Sequence, residues 1–449
     1  MLKHKTKVEN LIQSPRPEGR TAFLCVNPVA APETNSFKSG VTHRKKEFIL
    51  YMSYNFRLFW RMFYRSFFKW KGTPARLTRK RLTFIILFYL VWPIGGLFHW
   101  FFFFLDDILF PGHKTQPVDR PLFILGNFRS GSTFLHRLLS RDDNFTSLTI
   151  WDIYLAPSVT QKKITQLVSR IDYKLGGYLH RLLYAFDKAT LGKIRIHPIS
   201  FFKPEEDENI HFQNWDGFFV SFLFPFMDEL PNYQHFDEAL SPEHKRRVMV
   251  FYKSMLQRHL YATGAKYFVA KNPAFSPKIE TLSEFFPDAR IIYLVRNPLD
   301  MLPSTVSWIN YARRQFTEPE DGYLYMDEIL DFTQHWYEHP LKFLDAHPSP
   351  RHLILGYDEL IQNPEGTIRN FYEQFGYPDQ PALDRIVTEA IAETLAYKSD
   401  HIYSYEEMGF TRQQIIELYE DVFERFGFDK REPTLSKTEQ VTEYRTPAD

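Results

Sequence analysis

Residues 121–139, PLFILGNFRSGSTFLHRLL, constrain the fold of this chain more than any other segment. An apolar run at 121–125 precedes a short loop containing glycine and serine, and an amphipathic pattern begins at Ser132 or Thr133. This order predicts a strand, a loop and a helix, with the loop backbone wrapped around an anion. The spacing of Gly126, Gly131, Ser132 and Thr133 matches that of a nucleotide P-loop, except that Ser132 stands where that motif needs lysine. Arg129 is the only cation in the loop, and the missing lysine points away from ATP chemistry.

A second anion-binding pattern lies much further along the chain, at residues 290–308. A predicted strand at 291–295 leads into Arg296, and Pro298 stands where a helix would begin. Ser304 follows eight residues after the arginine. A guanidinium fork and a hydroxyl suit a phosphate dianion. The alternative is a surface arginine and a helix-surface serine, which the occurrence of both patterns in this order makes improbable.

Together the two segments resemble the 5′-phosphosulfate loop and the 3′-phosphate segment of sulfotransferases, which use 3′-phosphoadenosine 5′-phosphosulfate (PAPS). Residues 266–273, 352–363 and 398–410 resemble further parts of the bacterial-type subfamily, so the resemblance spans about 121–428. It implies an α/β fold, a three-layer P-loop-like domain with a central parallel sheet and helices on both faces. Strands are expected near 122–125, 267–270, 291–295 and 352–355.

The resemblance also implies the roles of individual residues. Arg129 is expected beside the scissile bond, and Lys271 is expected to reach the transferred group or, alternatively, to be a surface lysine at a strand end. The predicted donor-binding residues are Arg129, Ser130, Gly131, Ser132, Thr133, Arg296, Ser304 and Lys398. No metal is expected, because cations already hold the nucleotide phosphate and the 16 histidines are too scattered for a ligand spacing.

An acceptor hydroxyl needs a general base, and Asp152 is the first candidate. The family often places a glutamate about two dozen residues beyond the loop arginine, and here an aspartate occupies that position. A helix cap is its alternative role. Glu206, in the acidic run 205–208, and His211 are held in reserve, although four consecutive acids are more often a solvated turn. His136, on the helix behind the loop, is expected to be structural.

The composition divides the 449 residues into three regions, 1–45, 46–112 and 113–449. Residues 1–45 are polar and dotted with proline, which predicts a disordered tail, and 113–449 form the sulfotransferase-like domain. The net charge of +1 implies no general affinity for nucleic acid. Cys25 is the only cysteine, so no intramolecular disulfide forms and a reducing compartment is favoured.

Residues 46–112 are predicted to associate with a membrane. Basic and aromatic residues interleave from 55 to 71, as in a helix that lies at a membrane surface. Residues 82–105 carry no formal charge and are long enough to span a bilayer. Pro93 and two glycines fall in the middle, and a helix broken there would give two halves too short to span, so a re-entrant or interfacial hairpin is as natural as a span. The alternative is a wholly buried element of the enzyme domain.

The sequence is compatible with two locations of the catalytic domain relative to the membrane. Basic residues precede the apolar run and Asp106 and Asp107 follow it, so a single span would place the domain outside the cytoplasm, as in a Golgi-type protein with a lumenal domain. The cytosolic origin of the donor and the lone cysteine favour a hairpin on the cytoplasmic face. We therefore expect a membrane-associated protein whose catalytic domain is cytoplasmic.

The predicted activity is transfer of a sulfuryl group from PAPS to a hydroxyl of a lipid, glycolipid, glycan or other small acceptor. The membrane-associated region favours an amphiphile. Two other classes of protein stay open as interpretations of the sequence. A P-loop kinase or NTPase is disfavoured by the missing lysine, and a non-catalytic membrane protein with a nucleotide fold is disfavoured by the intact Arg129. The sequence does not indicate the oligomeric state.

Overall fold

The computed structural model describes residues 53–193, 199–317, 323–378, 381–396, 405 and 408–430. All of these belong to one compact unit, Lys46–Asp449. The predicted tail at 1–45, with Cys25, and the predicted donor ligand Lys398 lie outside the described residues.

A five-stranded parallel sheet forms the centre of the domain. Its strands are β1 (Leu122–Gly126), β2 (Phe145–Thr146), β3 (Tyr267–Lys271), β4 (Arg290–Val295) and β5 (His352–Gly356). The spatial order is β2-β3-β1-β4-β5, and every pairing is parallel. The four predicted strands are confirmed to within one residue at each end. β2 was not predicted, because two residues carry no readable alternation.

The described helices follow in chain order, with short 3₁₀ turns between some of them. They are α1 (Phe56–Phe68), α2 (Arg79–Leu109), α3 (Ser132–Leu139), α4 (Ile150–Tyr154), α5 (Val159–Lys174), α6 (Tyr178–Thr190), α7 (Val220–Leu223), α8 (Phe236–Ala239), α9 (Pro242–Thr263), α10 (Ile279–Phe285), α11 (Pro298–Arg314), α12 (Met326–Ala346), α13 (Tyr357–Gln362), α14 (Pro364–Phe375), α15 (Pro381–Ala396), α16 (Arg412–Leu418) and α17 (Glu420–Phe426).

Two hydrophobic cores lie on opposite faces of the sheet. In β1 every residue is buried, yet Phe123 and Leu125 belong to one core while Leu122 and Ile124 belong to the other. Successive side chains of a strand point to opposite faces, so a strand covered on both faces shows a continuous apolar run. Helices therefore cover both faces of the sheet, and the three-layer α/β fold is confirmed.

The apolar segment 82–105 lies within α2, which continues unbroken through Pro93. The expectation of a hairpin broken at this proline is therefore wrong. Proline removes one backbone hydrogen bond but does not by itself end a helix that its surroundings hold. The ring of Trp92 packs 5.4 Å from Phe88 and 5.9 Å from Phe212, and such contacts stabilise the continuous helix despite the missing bond.

The buried carboxylate of Asp106 fixes the end of α2 to the domain. It accepts hydrogen bonds from the backbone N–H groups of Val159 and Thr160, at 2.8 and 2.7 Å, and so caps α5. It also pairs with Arg258 of α9 at 3.1 Å. Among the described helices, α2 is the one whose length and hydropathy would suffice to cross a membrane.

Candidate active site

The turn after β1 requires glycine. Gly126 has a φ of 135°, and a Cβ there would lie 2.5 Å from the carbonyl oxygen of Leu294 in β4. The hydroxyl of Ser276 accepts a hydrogen bond from the Gly126 N–H and donates one to the Gly126 carbonyl, each at 3.0 Å. Because only glycine tolerates this approach, the chain turns away from the sheet at the carboxyl end of β1 in one fixed direction.

The loop backbone is left-handed at two further positions. Arg129 has a φ of 65° and Gly131 a φ of 88°. A Cβ at Gly131 would lie 2.5 Å from the ring of Tyr357. A non-glycine residue in this region costs about 1–2 kcal/mol, and such strain persists where the surroundings enforce it, often at functional sites. Left-handed residues among right-handed ones turn successive N–H groups toward one concavity, which suits an anion.

The N-terminus of α3 completes this concavity. α3 begins at Ser132, directly after Gly131, and no side chain caps this end. Its first backbone N–H groups have no partner within the helix. The Ser130 hydroxyl is buried and has no hydrogen-bond partner among the described residues. Free N–H groups at a helix N-terminus beside an unpaired hydroxyl are suited to a phosphate or sulfate ester.

The second predicted pattern meets the first at this loop. The Arg129 Nε donates a hydrogen bond to the Ser304 Oγ at 2.9 Å, and Arg296 donates one to the Arg129 carbonyl at 2.9 Å. The Nε of Arg296 is buried and has no partner in the described part of the chain. Two arginines and a hydroxyl, far apart in sequence, thus form one cationic cluster beside the loop.

Tyr357 links the two halves of the cluster. It begins α13 directly after β5, and its ring lies 4.4 Å from the Arg296 guanidinium as well as against Gly131. A cation over an aromatic face is attractive by roughly 0.5–2 kcal/mol. This tyrosine lies in the segment 352–363 of the family resemblance, where no role was predicted for it. Its position directly after a predicted strand was the one sequence feature that could have indicated a place in the site.

Lys271 forms a buried ion pair next to the same edge of the sheet. It ends β3 opposite Ile124 of β1, two residues before the glycine turn. Its Nζ lies 2.5 Å from a carboxylate oxygen of Glu206, and both side chains are almost completely buried. The carboxyl ends of parallel strands are where α/β folds bind ligands. The alternative of a surface lysine at a strand end is therefore wrong.

The acidic run 205–208 is buried rather than solvated, contrary to the expectation for four consecutive acids. Each of the last three has its own partner. Glu206 pairs with Lys271, the Asp207 carboxylate accepts from the Tyr252 hydroxyl, and Glu208 pairs with Lys278 at 2.6 Å. Buried carboxylates require such partners, and the lysines lie 65 and 70 residues further along the chain, so local sequence could not reveal them.

Asp152 occupies the third position of α4 and forms a capping box with Thr149. One carboxylate oxygen accepts from the Thr149 hydroxyl at 2.7 Å, and the other accepts from Lys162. Burial alone would raise the pKa of Asp152, but the charges of Lys162 and His259 and these hydrogen bonds outweigh it and hold the pKa well below its usual value. A carboxylate held ionised in this way is a weak proton acceptor.

His211, held in reserve as a base, and His136, expected to be structural, are both buried. Burial lowers the pKa of His136 to about 3 and that of His211 to about 4. His136 contacts the Ser147 hydroxyl at 3.1 Å. The ring of His211 lies 6.0 Å from that of Tyr252. Both are core residues whose neutral form is favoured.

One cluster was not foreseen from the spacing of the histidines. His235, Glu238 and His335 bring atoms able to bind a metal within 4.8 Å of one another. The histidines are scattered along the sequence, but the fold gathers His235 and His335, which are 100 positions apart. The cluster shares no residue with the anion-binding loop.

The sequence of this chain matches the Sulfotransferase family over residues 121–381. The match covers more than half of the chain and contains the loop, the cationic cluster and the Lys271–Glu206 pair. The chain therefore belongs to the sulfotransferase family, and it is a sulfotransferase enzyme.

Among curated proteins, the chain is similar to omega-hydroxy-beta-dihydromenaquinone-9 sulfotransferase Stf3 of Mycobacterium bovis and of Mycobacterium tuberculosis. With each it is 26% identical over 333 residues, which cover 71% of this chain and 78% of the relative.

Two solved structures share the fold. Sulfotransferase STF1 from Mycobacterium tuberculosis H37Rv superposes with a TM-score of 0.56 at 17% identity, covering 84% of this chain and 92% of STF1. Sulfotransferase STF9 from Mycobacterium avium gives a TM-score of 0.54 at 20% identity, covering 72% of this chain and 81% of STF9.

The buried acid Asp207 generates a prediction for the pH dependence of stability. Burial raises the pKa of Asp207 to about 7, the Tyr252 hydrogen bond opposes this, and the charges of Glu208 and Glu206 add to it. In the unfolded chain the carboxyl ionises near pH 4. Between these values unfolding releases a proton, so stability falls as pH rises from 4 to 7, by on the order of 4 kcal/mol from this group.

Asp207→Asn removes this titration, and we expect its free energy of unfolding to decline less over pH 4–7 than that of the wild type. Chemical denaturation at each pH measures the difference. Asp119→Asn, on a half-exposed side chain, is the matched control and should follow the wild type. Parallel pH profiles for the wild type and Asp207→Asn would show that the folded protein ionises Asp207 normally.

Proposed function

We propose that this sulfotransferase takes its sulfuryl group from PAPS and transfers it to the hydroxyl of a membrane lipid. The contact of Arg129 with Ser304 and Arg296 carries the donor assignment. It joins an anion-binding loop without a P-loop lysine to a second phosphate site, and PAPS carries phosphates at both ends of its ribose. A nucleoside triphosphate has no 3′-phosphate for the second site.

The proposed donor contacts follow from this arrangement. The 5′-phosphosulfate lies against the backbone N–H groups of Ser130, Gly131, Ser132 and Thr133 and the hydroxyls of the two serines and the threonine. Arg296 and Ser304 bind the 3′-phosphate. Arg129 spans the two sites and stabilises the bridging and sulfuryl oxygens as charge develops on them. The proposed contact of Lys398 with the nucleotide stays a prediction.

The reaction is an in-line displacement at sulfur, similar in its charge flow to phosphoryl transfer. The acceptor oxygen forms a bond to sulfur, the bond between sulfur and the 5′-phosphate oxygen breaks, and the acceptor proton passes to a base. The products are a sulfate ester and adenosine 3′,5′-bisphosphate. Lys271 contacts the transferred group, because it ends the strand next to the loop.

We propose Glu206 as the base in preference to Asp152. Both oxygens of Asp152 are occupied by a helix cap and by Lys162, and its pKa is strongly depressed. The Glu206 carboxylate, by contrast, pairs with one side chain of the described residues, the buried Lys271. If Lys271 turns to the sulfuryl oxygens of the bound donor, the Glu206 carboxylate loses that partner and becomes able to accept a proton.

Two observations support a lipid acceptor. The similar protein Stf3 is named for sulfation of a hydroxylated menaquinone, which is an isoprenoid lipid by its chemistry. In addition, the apolar helix α2 borders the turn that follows the proposed base Glu206, and we call this the acceptor side of the site. The Trp92 ring lies 5.9 Å from Phe212, which ends the 3₁₀ turn containing Asp207 and Glu208, and 6.4 Å from Tyr154 of α4.

The same helix supports association of residues 46–112 with a membrane. Its exposed side carries large apolar side chains along its length, including Leu90, Ile94 and Leu97, each more than 60% exposed. Contiguous exposed apolar surface of this extent is typical of a membrane or protein interaction site. We place the catalytic domain on the cytoplasmic side, where its donor is made. A Golgi-type lumenal domain is the alternative.

Donor binding tests the proposal directly. Arg296→Ala should weaken binding of adenosine 3′,5′-bisphosphate about tenfold to a hundredfold, since a charge-assisted phosphate contact is worth roughly 1.5–3 kcal/mol. Calorimetry measures the affinity, and ATP with Mg²⁺ should not bind tightly to the wild type.

Arg290→Ala is the matched control. It lies at the opposite end of β4, is similarly half-buried, and also donates to backbone carbonyls. The affinity of this variant for adenosine 3′,5′-bisphosphate should equal that of the wild type. Equal affinities for the Arg296 variant and the wild type, or tight binding of ATP–Mg²⁺, would contradict the donor assignment.

The base assignment yields a second test. Glu206→Gln should reduce the single-turnover transfer rate by about 10²–10⁴-fold, the usual contribution of a general base, with donor affinity unchanged. Asp152→Asn should lower the melting temperature, because it weakens the pair with Lys162, with a smaller loss of rate in the folded fraction. A normal rate for Glu206→Gln, together with a large rate loss in a thermally intact Asp152→Asn, would make Asp152 the base.

A further inference from the structure

A helical hairpin outside the predicted membrane region also presents apolar side chains to solvent. It consists of α5 and α6, residues 159–190, and we call it the α5–α6 hairpin. Asp187 is the only residue of α6 that is buried. More than half of the surface is exposed for each of the large side chains Leu167, Tyr173, Leu175, Tyr178, Leu182 and Phe186. Packing within the described domain does not account for this composition.

The exposed residues follow helical spacing and have a basic border. Ile164, Leu167, Val168 and Ile171 recur at the positions of one face of α5. The hairpin contains six Lys or Arg and two Asp residues. Lys162 is buried against Asp152, and the other five cations are exposed. An apolar stripe bordered by cations is typical of helices that lie in the headgroup region of anionic bilayers.

The two aspartates of the hairpin bind backbone and hydroxyl groups rather than its lysines and arginines. Asp172 accepts hydrogen bonds from the backbone N–H groups of Leu179 and His180, at 2.8 and 2.9 Å, and so caps α6. Asp187 accepts from the Ser200 hydroxyl at 2.7 Å and from the Phe201 N–H at 2.8 Å. The two carboxylates hold the turn and the base of the hairpin, which is therefore a fixed projection of the fold.

The hairpin adjoins α2. Asp106 of α2 caps the first turn of α5, and the ring of His99 contacts the side chain of Gln161. The exposed sides of both elements are apolar. An apolar cavity of about 440 Å³ between α1 and α2 has the exposed residues Phe56, Trp60 and Leu97 in its wall, and a hydrocarbon chain suits it.

The contacts of α2 argue that it does not cross the bilayer. Arg81 at its start donates to the carbonyls of Leu223 and Phe316, at 2.8 and 2.6 Å, and Asp106 near its end pairs with Arg258. A helix of 31 residues is about 46 Å long, against a hydrocarbon core of about 30 Å. If α2 spanned that core, its two ends would lie on opposite sides of the bilayer, although one compact unit binds both of them. The polar groups of Tyr154 and Gln161 that contact His99 would also be carried toward the hydrocarbon, where polar groups are costly.

We propose that the α5–α6 hairpin and the exposed sides of α1 and α2 form one surface that inserts into a single leaflet of an anionic bilayer, with α2 parallel to the membrane plane. The inference extends the membrane association of the proposed function but does not depend on the chemistry. The basic border favours anionic lipid over a second copy of the chain, since two copies would bring like charges together. The acceptor side of the site then faces the leaflet in which a lipid acceptor resides.

Vesicle binding of the full-length protein tests the role of the hairpin. We expect Leu175→Ser/Tyr178→Ser/Leu182→Ser to lower affinity for vesicles of phosphatidylcholine and phosphatidylglycerol at least tenfold. Lys174→Glu/Arg181→Glu should do the same on these vesicles, with a smaller loss on pure phosphatidylcholine or in 1 M salt. Ile391→Ser/Arg385→Glu, two exposed positions on α15, is the matched control and should bind as the wild type does.

Unchanged vesicle affinity in both hairpin variants would overturn the proposal. A change of oligomeric state in those variants, with vesicle affinity unchanged, would assign the surface to a second copy instead. Calorimetry with adenosine 3′,5′-bisphosphate on the same variants separates the two proposals. Donor binding should be intact in every hairpin variant, so a failure of donor binding in the wild type would count against the proposed donor alone.

The depth of α2 tests its orientation. Single cysteines replace Leu87, Leu97 and Ile108 in a Cys25→Ser background and carry an environment-sensitive fluorophore. A helix in the membrane plane predicts that lipid-attached quenchers at shallow depth act equally on all three positions. Strong quenching at Leu97 by quenchers at the bilayer centre, with shallow quenching at the two ends, would show a transmembrane helix and contradict the proposal.

Discussion

The contact of Arg129 with Ser304 and Arg296 is the interaction on which the site depends. It forms only because Gly126 turns the chain at the end of β1 and because Arg129 and Gly131 adopt left-handed backbone conformations. The sheet order places β4 directly beside β1, so the residue that follows β4 reaches the loop that follows β1. A conformationally strained loop held by a rigid sheet is a preorganised anion site, because its N–H groups need no rearrangement when charge arrives.

Much of this arrangement could be predicted from the sequence. Four strands and their parallel pairing follow from apolar runs that precede helical patterns, and the loop residues follow from their spacing. The buried partners could not be read in this way. Glu206 and Lys271, or Glu208 and Lys278, are joined only by tertiary structure, and a run of four acids in isolation resembles a surface turn. The break predicted at Pro93 of α2 is absent for a similar reason. The packing of Trp92 and Phe88, which the local sequence does not show, keeps the helix continuous.

The N-terminal helix α2 contacts elements that lie beside the proposed site, which an independent membrane anchor would not do. α2 caps α5 through Asp106, packs on α4 through Trp92, and borders the 3₁₀ turn that contains Asp207 and Glu208. Elements that line the proposed acceptor side therefore rest on the same helix that presents apolar surface to the surroundings. This arrangement suits a substrate whose reactive hydroxyl is polar and whose remaining length stays in lipid. The described residues 53–112 belong to the same compact unit as the strands of the sheet.

The most direct test of the account is transfer of ³⁵S from labelled PAPS by the purified full-length protein in the presence of a membrane extract. The account predicts a labelled product that partitions with the lipids, together with adenosine 3′,5′-bisphosphate in equal amount, and neither product with Arg129→Ala. Mass spectrometry of the lipid would then identify the acceptor. Label that appears only in water-soluble products would contradict the lipid acceptor, and the absence of any transfer despite tight binding of adenosine 3′,5′-bisphosphate would contradict the proposed transfer from PAPS to a membrane acceptor.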